Sequence, residues 1–115
     1  MSVLTHLNEA SAEAVTKLVK LEGRLDAAGV NQKKPELMSR MTAEDTNVVI
    51  NMSEVSFVDS TGLGLLVGVQ QQQEGFNRKL VLCEVSDQIR LLLELTRLNL
   101  VFDIYDTQES ALAAT

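Results

Sequence analysis

The sequence predicts an α/β fold in which helices pack on a mixed β-sheet of four to five strands. Segments with the periodicity of strands alternate along the chain with segments that have the periodicity of helices. Because parallel strands need a crossover connection, usually a helix, this alternation favours parallel pairs with right-handed connections. A length of 115 residues, 45% of them hydrophobic, suits one compact domain over residues 1–115.

Five segments have the composition of strands. They are residues 2–7, residues 14–21, an apolar run that begins at Val48, residues 79–85 and residues 100–105. The first two are close in sequence, so they predict a hairpin with a polar turn at residues 8–11. The run from Val48 gives way to polar residues, and residues 53–60 are predicted to form a loop.

Helices are predicted over residues 35–41, 61–73 and 87–95, with Ser86 as the N-cap of the third. Pro35 has no backbone N–H and disfavours helical geometry at Lys34, so the first helix should start or kink there instead of running unbroken from Asp26. Asp106 followed by Glu109 resembles a capping pair for a short terminal helix.

The charge and the apolar pattern narrow the classes of function. A net charge of −6, a pI near 4.7 and the lack of a basic block argue against nucleic acid or an anionic membrane as partner, and favour a protein. The first residues do not have the charged start and apolar core of a secretory signal. The longest apolar stretch, residues 62–69, falls far short of the ~18 apolar residues that cross a bilayer. We therefore expect a cytoplasmic protein.

Two single residues are expected to have no chemical role. Cys83 has no partner for an internal disulfide and lies in a predicted strand, where a small buried apolar residue fits best. His6 has no second histidine or cysteine near it in sequence, so no metal site is expected.

A short hydroxyl cluster, Asp59-Ser60-Thr61, stands immediately before the second predicted helix and therefore at its N-cap. The unpaired N–H groups and the positive dipole end at such a position tolerate an added phosphate. We interpret Ser60 as a regulatory phosphorylation site whose charge acts on a partner. Taken alone, the same serine would fit an ordinary N-cap.

Several motifs carry a family resemblance in order and spacing. They are Asp59-Ser60-Thr61-Gly62-Leu63-Gly64, Ser53-Glu54-Val55-Ser56-Phe57, Leu21-Glu22-Gly23-Arg24-Leu25-Asp26, Leu82-Cys83-Glu84-Val85-Ser86, and Phe102-Asp103-Ile104-Tyr105 with Ser110 and Ala111. Over about residues 12–113 the chain resembles the STAS-domain anti-sigma factor antagonists. Two departures stand out: Arg97 occupies a place where glycine is common, so the turn there is expected to differ, and residues 33–35 look like an insertion.

The resemblance implies one STAS domain that switches partners and needs no cofactor or metal. The unphosphorylated antagonist would bind an anti-sigma factor that is also a serine kinase of the histidine-kinase-like ATPase type, which frees the sigma factor. Phosphorylation would reverse this binding, and a PP2C-type phosphatase with its own metal ions would reset the switch. The acceptor falls on Ser60, and the implied partner-binding residues are Asp26, Asp59, Ser60, Thr61, Gly62 and Leu63.

Three alternatives stay open beside the partner switch. A receiver domain would use Asp59 as its phosphoacceptor, but the acidic pair and the lysine that it needs are missing from the expected places. An enzyme is poorly supported because no nucleophile, base and orienting group are suggested together. A STAS scaffold in a stress-signalling or lipid-transport complex, with the hydroxyl cluster as a constitutive docking surface, is the third.

Overall fold

The computed structural model describes residues 16–115, in which strands and helices alternate as the sequence predicts. The elements are β1 Thr16–Leu25, α1 Ala27–Met41, β2 Asn47–Val58, α2 Ser60–Gly75, β3 Leu80–Cys83, α3 Asp87–Leu95, a 3₁₀ turn Leu98–Leu100, β4 Asp103–Tyr105 and α4 Gln108–Ala113. The predicted strand at residues 2–7 and the hairpin that would make the sheet mixed lie outside the described residues.

The four described strands form one sheet in the order β1-β2-β3-β4, and every neighbouring pair is parallel. Each consecutive pair of strands is joined through a helix, as parallel pairing requires. The α/β class and the strand number of four to five are therefore confirmed. Because all strands run in one direction, the starts of α1 and α2 follow the carboxyl ends of β1 and β2 at one edge of the sheet.

The core divides into two clusters. The larger one joins the sheet to α1, α2 and α3, and it includes Ile50, Leu66 and Leu93, all fully buried. The smaller one consists of Val49, Val81, Cys83 and Ala111, with Tyr105 packed against it. Cys83 is buried, as expected, and burial raises the pKa of its thiol to about 11. Such a thiol stays protonated and unreactive at neutral pH.

The predicted loop over residues 53–60 is wrong, because β2 continues to Val58. Its pairing with β1 contains two register shifts, between Lys20 and Glu22 and between Gly23 and Arg24. These irregularities interrupt the alternation of inward and outward side chains. The second half of β2 consequently buries every third residue, Met52, Val55 and Val58, and the residues between them, which include Phe57, are exposed.

Helix α1 begins earlier than predicted, directly after Asp26. The Asp26 carboxylate caps it by accepting a hydrogen bond from the Gly29 N–H at 3.0 Å. The predicted irregularity near Pro35 is present as a kink, since Lys33 has φ −121° and ψ 15° inside the helix. Pro35 lacks the N–H that would continue the helical ladder, which explains the kink but not a helix start.

The carboxyl-terminal part confirms some predictions and corrects others. Helix α3 has the predicted bounds, and the Ser86 hydroxyl accepts from the Ile89 N–H at 3.3 Å as its N-cap. The predicted strand at residues 100–105 is shorter, because residues 98–100 form a 3₁₀ turn. That turn follows Arg97, whose left-handed backbone (φ 63°) is the conformation that favours glycine.

The capping prediction for the terminal helix is wrong. Its N-cap is Thr107, which forms a reciprocal capping box with Ser110. The Thr107 hydroxyl accepts from the Ser110 N–H at 3.1 Å, and the Ser110 hydroxyl accepts from the Thr107 N–H at 3.4 Å. Asp106 instead forms a salt bridge with Arg90 at 3.1 Å.

Candidate docking and phosphorylation site

The candidate site lies where β1 and β2 end and helices α1 and α2 begin. The chain segments are held together by a hydrogen bond from the Asp59 N–H to the Leu25 carbonyl at 3.2 Å. Asp26 and Asp59 are the N-caps of the two helices. The structure therefore brings together two predicted site residues that are far apart in sequence.

Asp59 caps α2 and at the same time binds α1. Its Oδ1 accepts from the Gly62 N–H at 3.0 Å, which is the usual N-cap hydrogen bond. Its Oδ2 accepts from the Ala27 N–H at 3.0 Å, in the first turn of α1. One carboxylate thus satisfies two of the N–H groups that helix starts leave unpaired.

Ser60 is the first residue of α2 and is exposed to solvent. It is not the N-cap, because Asp59 fills that position. Within residues 16–115 no hydrogen bond occupies the Ser60 hydroxyl. Thr61 follows it and is half-buried. The fold therefore presents the Ser60 hydroxyl at a helix start without using it for capping.

The next two predicted site residues, Gly62 and Leu63, are buried. A Cβ atom on Gly62 would overlap the Leu25 carbonyl oxygen and approach the Leu25 Cβ to 2.9 Å. Only glycine lets α2 start this close to the end of β1. Gly64 is different, since a Cβ there would have no neighbour within 4 Å. The Gly62 and Leu63 positions hold the loop in place, and their contact with a partner stays a prediction.

The Asp26 carboxylate lies beside Arg24, which the sequence interpretation did not single out. Arg24 Nε donates to Asp26 Oδ2 at 3.0 Å, and the guanidinium lies 4.3 Å from the centroid of the Phe57 ring. The hydrogen bond from the Gly29 N–H and then the one from Arg24 hold the pKa of Asp26 below its usual value. The sequence feature that could have pointed to Arg24 is its position two residues before Asp26 in the same motif.

Residues 16–115 contain neither a metal-binding cluster nor a membrane-spanning helix. No group of three or more histidine, cysteine, aspartate or glutamate side chains gathers there in a way that could hold a metal ion. In the same part of the chain, no helix combines the length and the apolar character needed to cross a membrane.

Comparison with known proteins decides the family. Residues 8–111, nearly the whole chain, match the family described as the STAS domain. The chain belongs to the STAS domain family. An anti-sigma-B factor antagonist from Staphylococcus aureus is 37% identical to this STAS domain over 81 residues, which are 70% of this chain and 74% of that protein. The resemblance drawn from the sequence is thereby confirmed.

Solved structures show the same fold in two kinds of STAS protein. The phosphorylated form of the Bacillus cell fate determinant SpoIIAA is 25% identical, with a TM-score of 0.62 over 86% of this chain and 89% of its own. The STAS domain of a SulP transporter from Vibrio cholerae is 19% identical, with a TM-score of 0.67 over 86% of this chain and 79% of its own. Since the fold occurs in both, it does not by itself decide what this STAS domain does.

Proposed function

We propose that this chain is an anti-sigma factor antagonist whose binding to an anti-sigma factor is switched off by phosphorylation of Ser60. The naming of the S. aureus relative as an antagonist and the phosphorylated form of SpoIIAA both support the proposal. One structural observation carries it. Asp59 performs the capping, so the exposed Ser60 hydroxyl is available to a kinase without loss of a structural hydrogen bond.

The partner is an anti-sigma factor that is also a serine kinase of the histidine-kinase-like ATPase type, and a PP2C-type phosphatase removes the phosphate. The docking surface comprises Ser60 and its surroundings: Asp26, Asp59, Thr61, Gly62 and Leu63. The chain acts by binding and not by catalysis. The proposed switch operates in the cytoplasm, because the ATP that the kinase uses and the sigma factor are present there.

The charge of a phosphate is large enough to act as the switch. It adds about −1.5 to −2 charges at neutral pH. At ~5 Å from an acidic group of the partner, with an effective dielectric constant of ~20 to 80, each like-charge pair costs ~1–3 kcal/mol. Binding would weaken by about one to two decades for each such contact. Within the domain, the start of α2 stabilises the negative charge by only ~0.3–1 kcal/mol, so the fold tolerates it.

The test uses purified full chain and its Ser60→Ala and Ser60→Asp variants as bait in extracts of the source organism, with and without MgATP. Bound proteins are identified by mass spectrometry, and the anti-sigma factor among them is purified for calorimetric titration. We expect added phosphate on Ser60 in the wild type, MgATP-independent binding by Ser60→Ala, and binding at least ~10-fold weaker by Ser60→Asp.

Ser39→Ala is the matched control, because it removes an exposed serine hydroxyl of α1 outside the docking surface and should leave phosphorylation unchanged. Circular dichroism must show that every variant is folded. Equal affinity of folded Ser60→Asp and wild type would refute the charge switch. A stable complex without phosphate in any growth condition would identify a constitutive STAS scaffold instead.

A further inference from the structure

An apolar groove lies beside the candidate site, between the end of β2 and helix α3. It encloses about 280 Å³, and its apolar lining consists of Phe57, Val58, Ile89, Leu91, Leu92 and Leu95. Leu91 and Leu95, four residues apart on one face of α3, are 55% and 74% exposed. Leu100 and Val101, which follow the helix in sequence, are exposed as well. An apolar groove flanked by exposed leucines is a candidate interaction site.

Arg24 stands at the rim of this groove, because its guanidinium lies 4.3 Å from the centroid of Phe57, one of the lining residues. The stack on Phe57 and the hydrogen bond from Nε to Asp26 fix the orientation of the guanidinium. Among residues 16–115 neither terminal nitrogen of Arg24 has a hydrogen-bond acceptor, and the side chain is exposed. The groove therefore carries an oriented set of cationic donors at one end.

We propose that the groove and Arg24 together bind one segment of a protein partner, which places apolar side chains on Leu91 and Leu95 and a carboxylate on the terminal nitrogens of Arg24. Guanidinium donors in a fixed plane suit a carboxylate acceptor. The inference rests on the proposed function in one respect: the partner that docks at Ser60 extends over this groove, which starts at Phe57, three residues earlier.

The shape and the charge both favour a protein segment. The cavity volume of about 280 Å³ is at the small end for a site that encloses a small molecule, and two of its lining residues, Leu91 and Leu95, are more than half exposed. A second copy of the chain is disfavoured because each copy carries a net charge of −6. An acidic group on the partner, in contrast, meets a cation that is already in position.

In this binding mode the exposed leucines of α3 and Arg24 have different roles. Apolar contacts with Leu91 and Leu95 supply affinity for any amphipathic segment, whatever its charge. Arg24 supplies the discrimination, because its terminal nitrogens can donate to a carboxylate of an acidic segment but not to the ammonium group of a basic one. Removing Arg24 should therefore change the preference, and trimming Leu91 should change the affinity.

The test uses two synthetic amphipathic helical peptides with the same leucines four residues apart, one with glutamates beside them and the other with lysines. Each peptide is titrated into ¹⁵N-labelled full chain, and amide shifts are followed by NMR. We expect shifts at Phe57, Leu91 and Leu95, and ~10-fold tighter binding of the acidic peptide. In Arg24→Gln the acidic peptide should lose this advantage.

Matched controls separate charge and packing effects. Arg78→Gln removes another exposed arginine, which donates to the Glu44 carbonyl, and should keep the preference. Leu91→Ala should weaken both peptides, whereas Leu112→Ala, which trims an exposed leucine of α4, should weaken neither.

Several outcomes would overturn the inference. These are equal binding of both peptides to wild type, an undiminished preference in Arg24→Gln, or shifts of the groove amides with chain concentration alone, which would indicate a second copy. Saturation of the groove by octanoate at lower concentration than the acidic peptide would indicate a small-molecule site. None of these readouts depends on phosphate, so failure here leaves the Ser60 test standing, and failure of that test leaves the peptide preference measurable.

Discussion

The carboxylate of Asp59 accepts a hydrogen bond from the Ala27 N–H at 3.0 Å, although Asp59 caps a different helix. Its second oxygen accepts from the Gly62 N–H at the same distance. The starts of α1 and α2 are therefore joined by one side chain, immediately before Ser60. The position of the proposed acceptor relative to Asp26 depends on this link.

Asp59→Ala should destabilise the domain by about 1–2 kcal/mol, because it leaves the N–H groups of both Ala27 and Gly62 without their acceptor. Asp59→Asn should lower the free energy of unfolding by less, since the single amide oxygen can keep one of the two hydrogen bonds. Urea unfolding measures the free energies, and hydrogen exchange at Ala27 reports the bond between helices. Asp45→Ala, at an exposed loop position, is the control and should change the stability by less than ~0.5 kcal/mol. Equal stability of the two alanine variants would refute the double cap.

Gly62→Ala and Gly64→Ala should have opposite effects on stability. At Gly62 the added Cβ meets the backbone of Leu25 and lies 3.0 Å from Val58 Cγ1, so we expect a loss of about 1–3 kcal/mol. At Gly64 it meets nothing within 4 Å, and the better helix propensity of alanine should stabilise by about 0.5–1 kcal/mol. Thermal and urea unfolding of both variants provide the comparison. A stable Gly62→Ala variant would show that α2 can move away from β1.

Signals from residues close together in sequence were sufficient to predict several elements. Helix α3 was predicted with its correct bounds because Ser86 is a strong N-cap and Ile89 and Leu93 repeat at helical spacing. The second predicted helix, at residues 61–73, falls inside α2. In these cases the residues that define the element are close together in sequence, so no tertiary information was needed.

Elements that depend on neighbouring strands were harder to predict. The second half of β2 buries every third residue because of irregular pairing with β1, and this spacing has no strand-like alternation. The start of α1 differs from the prediction because Pro35 marks the kink, whereas the helix begins at the N-cap Asp26. Thr107 caps the terminal helix through its capping box with Ser110, whereas Asp106 binds Arg90, which is distant in sequence.

At the candidate site, too, local sequence predicted some features, whereas others depend on contacts between distant residues. The motif predicted the positions of Asp59 and Ser60 at the start of α2. It did not distinguish which of the two is the cap, and it did not show that Asp59 reaches Ala27. Arg24 was missed because its contact with Phe57 joins residues of two strands.

The stability of the domain should depend on the charge of Asp26 at acidic pH. Its folded-state pKa lies below the ordinary 3.8, chiefly through the Gly29 N–H and then through Arg24, so the stabilisation is present above pH ~4 and is lost as pH falls through the lowered folded-state pKa. Asp26→Asn should remove this part of the pH dependence in urea unfolding. In Arg24→Gln, NMR titration of the carboxyl carbon should show a pKa that rises only part of the way, because the Gly29 bond remains. Arg78→Gln is the control and should leave the pKa of Asp26 unchanged. An Asp26 pKa at or above 3.8 in the wild type would contradict the two hydrogen bonds as its cause.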